Sequence, residues 1–285
     1  MDARKLFTQL EAALAGGAKA GEIDRTLNSV EKIAVMTSAI ASLEQLAGRR
    51  YLDDTGPYSW RINRTKLERS RSPVRFIAPL LGYPQVLAVP TTRLLAAVRL
   101  LAGSPGPKER ALLVATVLGT SAAMNVHHHQ GTDGADQVSF MTLLTTLLAR
   151  AFPHDERAKR ACLQMIAFQS CLSYSASGAI KLASPTWRSG RAITGVFRTA
   201  TFGDEWFYRM TKVHPMIPKA LAWSVIVGET LFPLVLVAPK PAARGILGLM
   251  GTFHLANSRF MGLNRFPFAF ASTYPAVAYV SKELT

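Results

Sequence analysis

ACLQMIAFQSCLSYSASGAI, residues 161–180, is a run of twenty uncharged and mostly apolar residues between Arg160 and Lys181. At ~1.5 Å of rise per residue, a helix of this length spans the ~30 Å hydrocarbon core of a bilayer. Gln169, Ser173, Ser177 and Lys181 recur every four residues, so they share one helical face. An ionisable group in or at the rim of a membrane helix is costly. It either turns toward a cavity or partner, or snorkels to the headgroups. The spacing leaves both orientations of Lys181 open.

The same texture recurs along the chain. Apolar residues collect in six blocks, 111–126, 138–149, 161–180, 220–238, 246–258 and 266–281, in which Glu229 is the only Asp, Glu, Lys or Arg. A soluble helical protein places charges every few residues along the wet face of each helix. Two weaker stretches, 33–47 and 86–102, carry Glu44, Arg93 and Arg99 and belong in the interface or behind the bundle. Strand signals are few. The expected fold is therefore all-α: a polytopic integral membrane bundle of six to eight transmembrane helices. Residues 1–28 read as a polar N-terminal segment with no apolar signal-peptide core, and 29–285 as the bundle. The extramembrane loops are expected at 48–77 and 183–217.

Lys and Arg outnumber Asp and Glu by 33 to 18, a net charge of +15. The excess falls between apolar blocks, notably from Arg49 to Arg75, where it suits anionic headgroups better than a nucleic-acid groove. Membrane lipids are the expected partners, and nucleic acid is not. Trp187, Phe197, Phe202, Trp206, Phe207 and Tyr208 alternate with arginines along 183–217, as in interfacial segments. Cys162 and Cys171, nine residues apart on one helix, cannot bridge each other and read as packing residues.

Three positions carry possible chemistry. His127, His128 and His129 end the first block and lead into GTDGADQ. Consecutive histidines on a helix point ~100° apart, so the pattern favours a hydrogen bond at a cavity mouth over a metal site, even with Asp133 and Asp136 in reach. His254, Asn257 and Ser258 stand at i, i+3 and i+4 and form one polar patch on an apolar helix. Glu229 needs a partner, and a basic group across the bundle is the cheapest.

Together these segments resemble a known family. SGAIKLASPTWRSG (177–190), GETLFPLVLV (228–237), FHLANSRFMGLNRFPFAFAS (253–272) and HHHQGTDGADQ (127–137) look like the membrane core of the vitamin K-dependent γ-carboxylases, the horizontally transferred transmembrane domain found in many bacterial proteins. The resemblance runs from about residue 30 to 281. It implies a bacterial cytoplasmic-membrane protein in which Lys181 matches the family's catalytic lysine. There a neutral lysine takes a proton from a reduced quinone of the vitamin K or menaquinone type, which reacts with O2. The oxygenated quinone then removes the γ-proton of a peptide glutamate, and CO2 adds. Desolvation is the general way to favour a neutral lysine. One of His128 or His129 matches the histidine near the reaction centre. Ser177, Trp187, Glu229, His254 and Asn257 are expected to line the quinol site, with no metal. The γ-carboxylases carry a large docking domain after the bundle, whereas this sequence stops at Thr285. The expected activity is thus a quinol-dependent carboxylation or oxygenation of an unidentified acceptor, a peptide or protein among the candidates. The alternative is a non-catalytic membrane maturation partner or immunity protein for a secreted peptide.

Overall fold

A computed structural model describes residues 20–68, 78–128 and 133–285. Among these, every regular element is helical, as the sequence pattern predicts. The main helices are α1 (Ala20–Ala47), α2 (Trp60–Glu68), α3 (Ala88–Ala102), α4 (Pro107–His127), α5 (Gly134–Ala151) and α6 (Glu156–Ala183). Then come α7 (Pro185–Arg188), α8 (Arg191–Phe197), α9 (Glu205–Val213), α10 (Met216–Thr230), α11 (Lys240–Met261), α12 (Phe266–Ala271) and α13 (Tyr274–Leu284).

Local chemistry sets the boundaries. Pro107 opens α4 at a position where its missing N–H costs nothing. Asp133 and Asp136 form a reciprocal capping box at the start of α5. Asp155 and Asp204 accept backbone N–H groups at the starts of α6 and α9. Gly262, in the left-handed region at φ 68°, ends α11.

Helix α1 is the central post and packs against α3, α5, α12 and α13. Two large apolar cores flank it, and Leu52, Val86 and Met124 form a small third. The first large core joins α1 to α3, α4 and α5 through residues such as Val35, Ala97, Val117 and Leu143. The second joins the first turns of α1 to α6, α11 and α13 through Ile23, Leu163, Ile166 and Val277. Charges on α1 are absorbed by the bundle: Glu31 is buried against Arg110 at 3.0 Å and Arg150 at 2.6 Å. Both cysteines are free and buried.

Several expectations change. Helix α1 runs unbroken through residue 28, and Ile23 and Leu27 before it pack into the second core; residues 1–19 lie outside the described residues. The 183–217 connection is not an open loop but three helices, α7 to α9, leading into α10. Part of the 48–77 segment also folds, since Leu52, Ser59 and Trp60 are buried; residues 69–77 lie outside the described residues. Two apolar blocks are interrupted. Pro233 lacks an N–H and its ring opposes the Glu229 carbonyl, so α10 ends at Thr230 and a 3-10 turn, Phe232–Leu236, follows. Pro275 separates α12 from α13 in the same way. Among the described residues, one helical stretch, Gln85–Ala102, is long and apolar enough to cross a membrane by length and composition, against the six to eight expected. The breaks at Pro233 and Pro275 shorten two of the apolar blocks, serines and glutamines lower the hydropathy of α6, and charges stand at the ends of α4, α5 and α11.

Candidate functional site

Gly178 brings α6 and α10 together. A Cβ there would stand 2.5 Å from the Thr230 amide nitrogen, so only glycine admits this approach. The residues flanking the contact face each other as a result. Lys181, one turn after Gly178, donates from Nζ to Glu229 Oε2 at 2.6 Å and to Ser177 Oγ. The Glu229 side chain is 6% exposed and that of Lys181 16%. The lysine thus turns inward instead of reaching for solvent.

Ser184 ends α6 and caps α7, its hydroxyl accepting the Trp187 N–H at 3.4 Å. This turn folds the chain back, and Lys181 Nζ sits 5.1 Å from the centre of the Trp187 ring, a cation–π contact. Gly190, at φ 81°, then packs on the backbone of Pro218 and Lys219, so α7 and α8 lie against the start of α10.

Around the pair is a cavity of about 310 Å³ with a mainly apolar wall. Helix α6 contributes Ser173, Tyr174, Ser177 and Lys181; α10 contributes Glu229; α11 contributes His254 and Asn257; Phe270 comes from α12 and Trp187 from α7. His254 is 3% exposed and stacks on Phe270, with ring centres 4.1 Å apart and planes at 13°. Its Nε2 lies 2.7 Å from the Tyr174 hydroxyl, which is 2.9 Å from that of Tyr274. The other ring nitrogen, Nδ1, is buried without a protein partner among the described residues. A buried polar atom without a partner is uncommon and calls for an explanation.

Six of the expected site residues therefore meet in one cavity, Ser177, Lys181, Trp187, Glu229, His254 and Asn257, with Ser173 of the same polar stripe and Phe197 beside them. Gln169 and Ser258 do not; Ser258 donates instead to Asn264 Oδ1 at 3.1 Å. Among the members that sequence reasoning missed is Tyr174. It stands seven residues before Lys181, two turns back on the same face, which was a usable signal.

His128 is not brought to this cavity. It stacks on Tyr58 with ring centres 5.1 Å apart, beside His127, which stacks on Trp60. It lines a different cavity, with Arg93 and Asp136. His129 lies outside the described residues. Leu263 and Phe266 line the Lys181 cavity, while Arg265 between them lines a pocket with Tyr58 and His128. Arg265 binds Asp136 at 2.5 Å, Asp133 at 3.0 Å and Glu44 at 3.2 Å. Burial, the largest influence, raises the Asp133 carboxyl above its usual range, and Arg265 acts against it. These two aspartates are occupied as a cap and an arginine clamp.

The Lys181–Glu229 couple can pass a proton to or from a ligand hydroxyl, and its charges sum to zero. The cavity therefore suits an uncharged, flat, largely apolar ligand with one or two hydroxyls. Comparison with protein-family models, with curated proteins and with solved structures finds no match to this chain.

Proposed function

We propose that this chain is an integral membrane enzyme that binds a reduced quinone in the Lys181 cavity and uses the Lys181–Glu229 couple to take its hydroxyl proton. The observation that carries the reading is the convergence of an acid–base couple, an orphaned histidine nitrogen and stacked aromatic rings on one apolar cavity. Its volume is at the lower end for ligand pockets and suits a quinone head with its tail left outside. When bound, the quinol supplies the electrons for reaction with O2. Lys181 must give its own proton to Glu229 before it can accept another, so the two act as one unit. Trp187 and Phe270 would hold the ring, and Asn257 and His254 Nδ1 would orient its oxygens. CO2 and an acceptor peptide belong to the same reading through the resemblance to the γ-carboxylases.

A membrane setting is supported by large apolar side chains exposed all round the bundle. Among them are Leu95 on α3, Leu112 on α4, Leu148 on α5, Phe168 and Leu172 on α6, and Leu249 on α11. Water makes such a surface a liability and lipid makes it a requirement. The amphipathic α9, with Trp206 exposed, fits the interface.

The test is incubation of the purified protein with reduced menaquinone, first without and then with oxygen and bicarbonate, with epoxide read by mass spectrometry. The expected result is epoxide from the parent and at least ~100-fold less from Lys181→Ala, the usual size of a lost proton-transfer group. Undiminished turnover in the variant would sink the mechanism. A non-catalytic partner protein has one observation on its side: both charged ends of the pair already have partners. That reading expects no epoxide from either protein, together with loss of partner binding in the variant.

A further inference from the structure

A second cavity, of about 340 Å³, lies in the other half of the bundle between α1, α3, α4 and α5. Its wall holds Arg93, 4% exposed in the middle of α3. Nε of Arg93 donates to Ser42 Oγ at 2.7 Å, Nη2 to Gln45 Oε1 at 2.5 Å and Nη1 to Ser121 Oγ at 3.5 Å. All three acceptors are neutral, and they engage three of the five N–H groups of a guanidinium. Among the described residues, no carboxylate lies within ion-pair distance of it. The carboxylate on the same wall, Asp136, is clamped by Arg265 at 2.5 Å and reaches Arg93 only through space. A buried charge without a counter-charge is expensive.

A second, independent observation comes from Thr37 on the same wall. It is 1% exposed, and its hydroxyl has no hydrogen-bond partner. Several mid-helix threonines return their hydroxyls to the carbonyl four residues back, as Thr26, Thr116 and Thr145 do. Thr37 does not, although Thr142 on α5 is idle too. A cation with free donors and a threonine with an idle hydroxyl line one cavity.

From this we infer that the Arg93 cavity binds a monocarboxylate, held by the unused N–H groups of Arg93 and the hydroxyl of Thr37. A planar carboxylate matches the guanidinium fork and supplies the missing single charge. A phosphate dianion fits worse, because Asp136 also lines the cavity. Leu118, Phe140 and Leu143 offer an apolar bed for the rest of the ligand. The inference is independent of the quinone reading, since the two cavities share no residue.

Calorimetry on the purified chain in lipid nanodiscs tests it with benzoate and decanoate, each beside its alcohol, benzyl alcohol and decanol. Saturable binding is expected for a carboxylate, with the matching alcohol at least ~10-fold weaker, the scale of a lost charge-assisted bond. Tight benzoate binding points to a water-borne ligand, and binding of decanoate alone to a fatty acid from the bilayer. Arg93→Gln should abolish binding. The double substitution Lys181→Met with Glu229→Gln should leave it unchanged, which separates this site from the other. Equal binding of acid and alcohol overturns the inference, as does displacement by inorganic phosphate at equal concentration or undiminished binding in folded Arg93→Gln. If Arg93→Gln does not fold, Thr37→Val decides. It keeps the volume and removes the hydroxyl, so an unchanged Kd overturns the inference and a several-fold weaker one supports it.

Discussion

Lys181 shows how much one residue reveals before its neighbours are known. Its four-residue stripe with Ser177 and Ser173 was legible because helical periodicity is a local property. Its partner was not legible, because Glu229 lies 48 residues away and only packing brings it near. The pair should dominate local stability. Lys181→Met leaves a buried carboxylate without its counter-charge and is expected to cost about 3–5 kcal/mol in denaturant unfolding; adding Glu229→Gln should recover a good part of that. Recovery of nothing would mean the pair is not coupled. Tyr174 bridges His254 and Tyr274 through one hydroxyl. Tyr174→Phe removes it and leaves the buried His254 ring with a second orphaned nitrogen. The expected loss is about 1–3 kcal/mol by the same measurement.

At the scale of helices, two small features place the site. Gly178 sets the approach of α6 to α10, and Pro233 ends α10 just after Glu229, so the acid sits on a terminal turn. Gly178→Ala should wedge the helices apart. Its Cβ would stand 2.5 Å from the Thr230 nitrogen and 2.9 Å from its Cα, and overpacking of this kind costs about 1–3 kcal/mol. Gly119, on the exposed face of α4 with nothing within 4 Å of a Cβ, is the matched control. There Gly→Ala should stabilise by about 0.5–1 kcal/mol. Opposite shifts in thermal melting of the two variants would bear this out; equal shifts would refute it. Both features were visible as letters, but nothing in the local pattern says which glycine lies at a helix crossing. The helices within 183–217 were hidden for a related reason. They are short, and their caps, Ser184, Gly190 and Asp204, look like ordinary loop residues in sequence.

Over the whole molecule, the bundle holds two cavities of different electrostatic character. One has a balanced charge pair and aromatic walls, and the other has an unbalanced arginine. The outer surface bears on where the molecule resides. Leu249 on α11 is 65% exposed. In water, Leu249→Arg would change stability by no more than about 0.5 kcal/mol, as surface substitutions do. On the membrane reading it should cost about 2.5–3.5 kcal/mol near mid-bilayer and lower the fraction recovered in carbonate-washed membranes. Unchanged membrane recovery would argue against a lipid-facing α11. The sequence by itself determined the all-helical class, the polar stripe of α6 and the residue types with chemical potential. Each rests on composition and on periods of three or four residues, which the chain carries locally. Only the tertiary structure decided that Ser177, Lys181, Trp187, Glu229, His254 and Asn257 share one cavity while His128 joins Arg93 in another. Which faces of distant helices meet depends on close approaches such as Gly178 against Thr230, and those exist only once the bundle has packed.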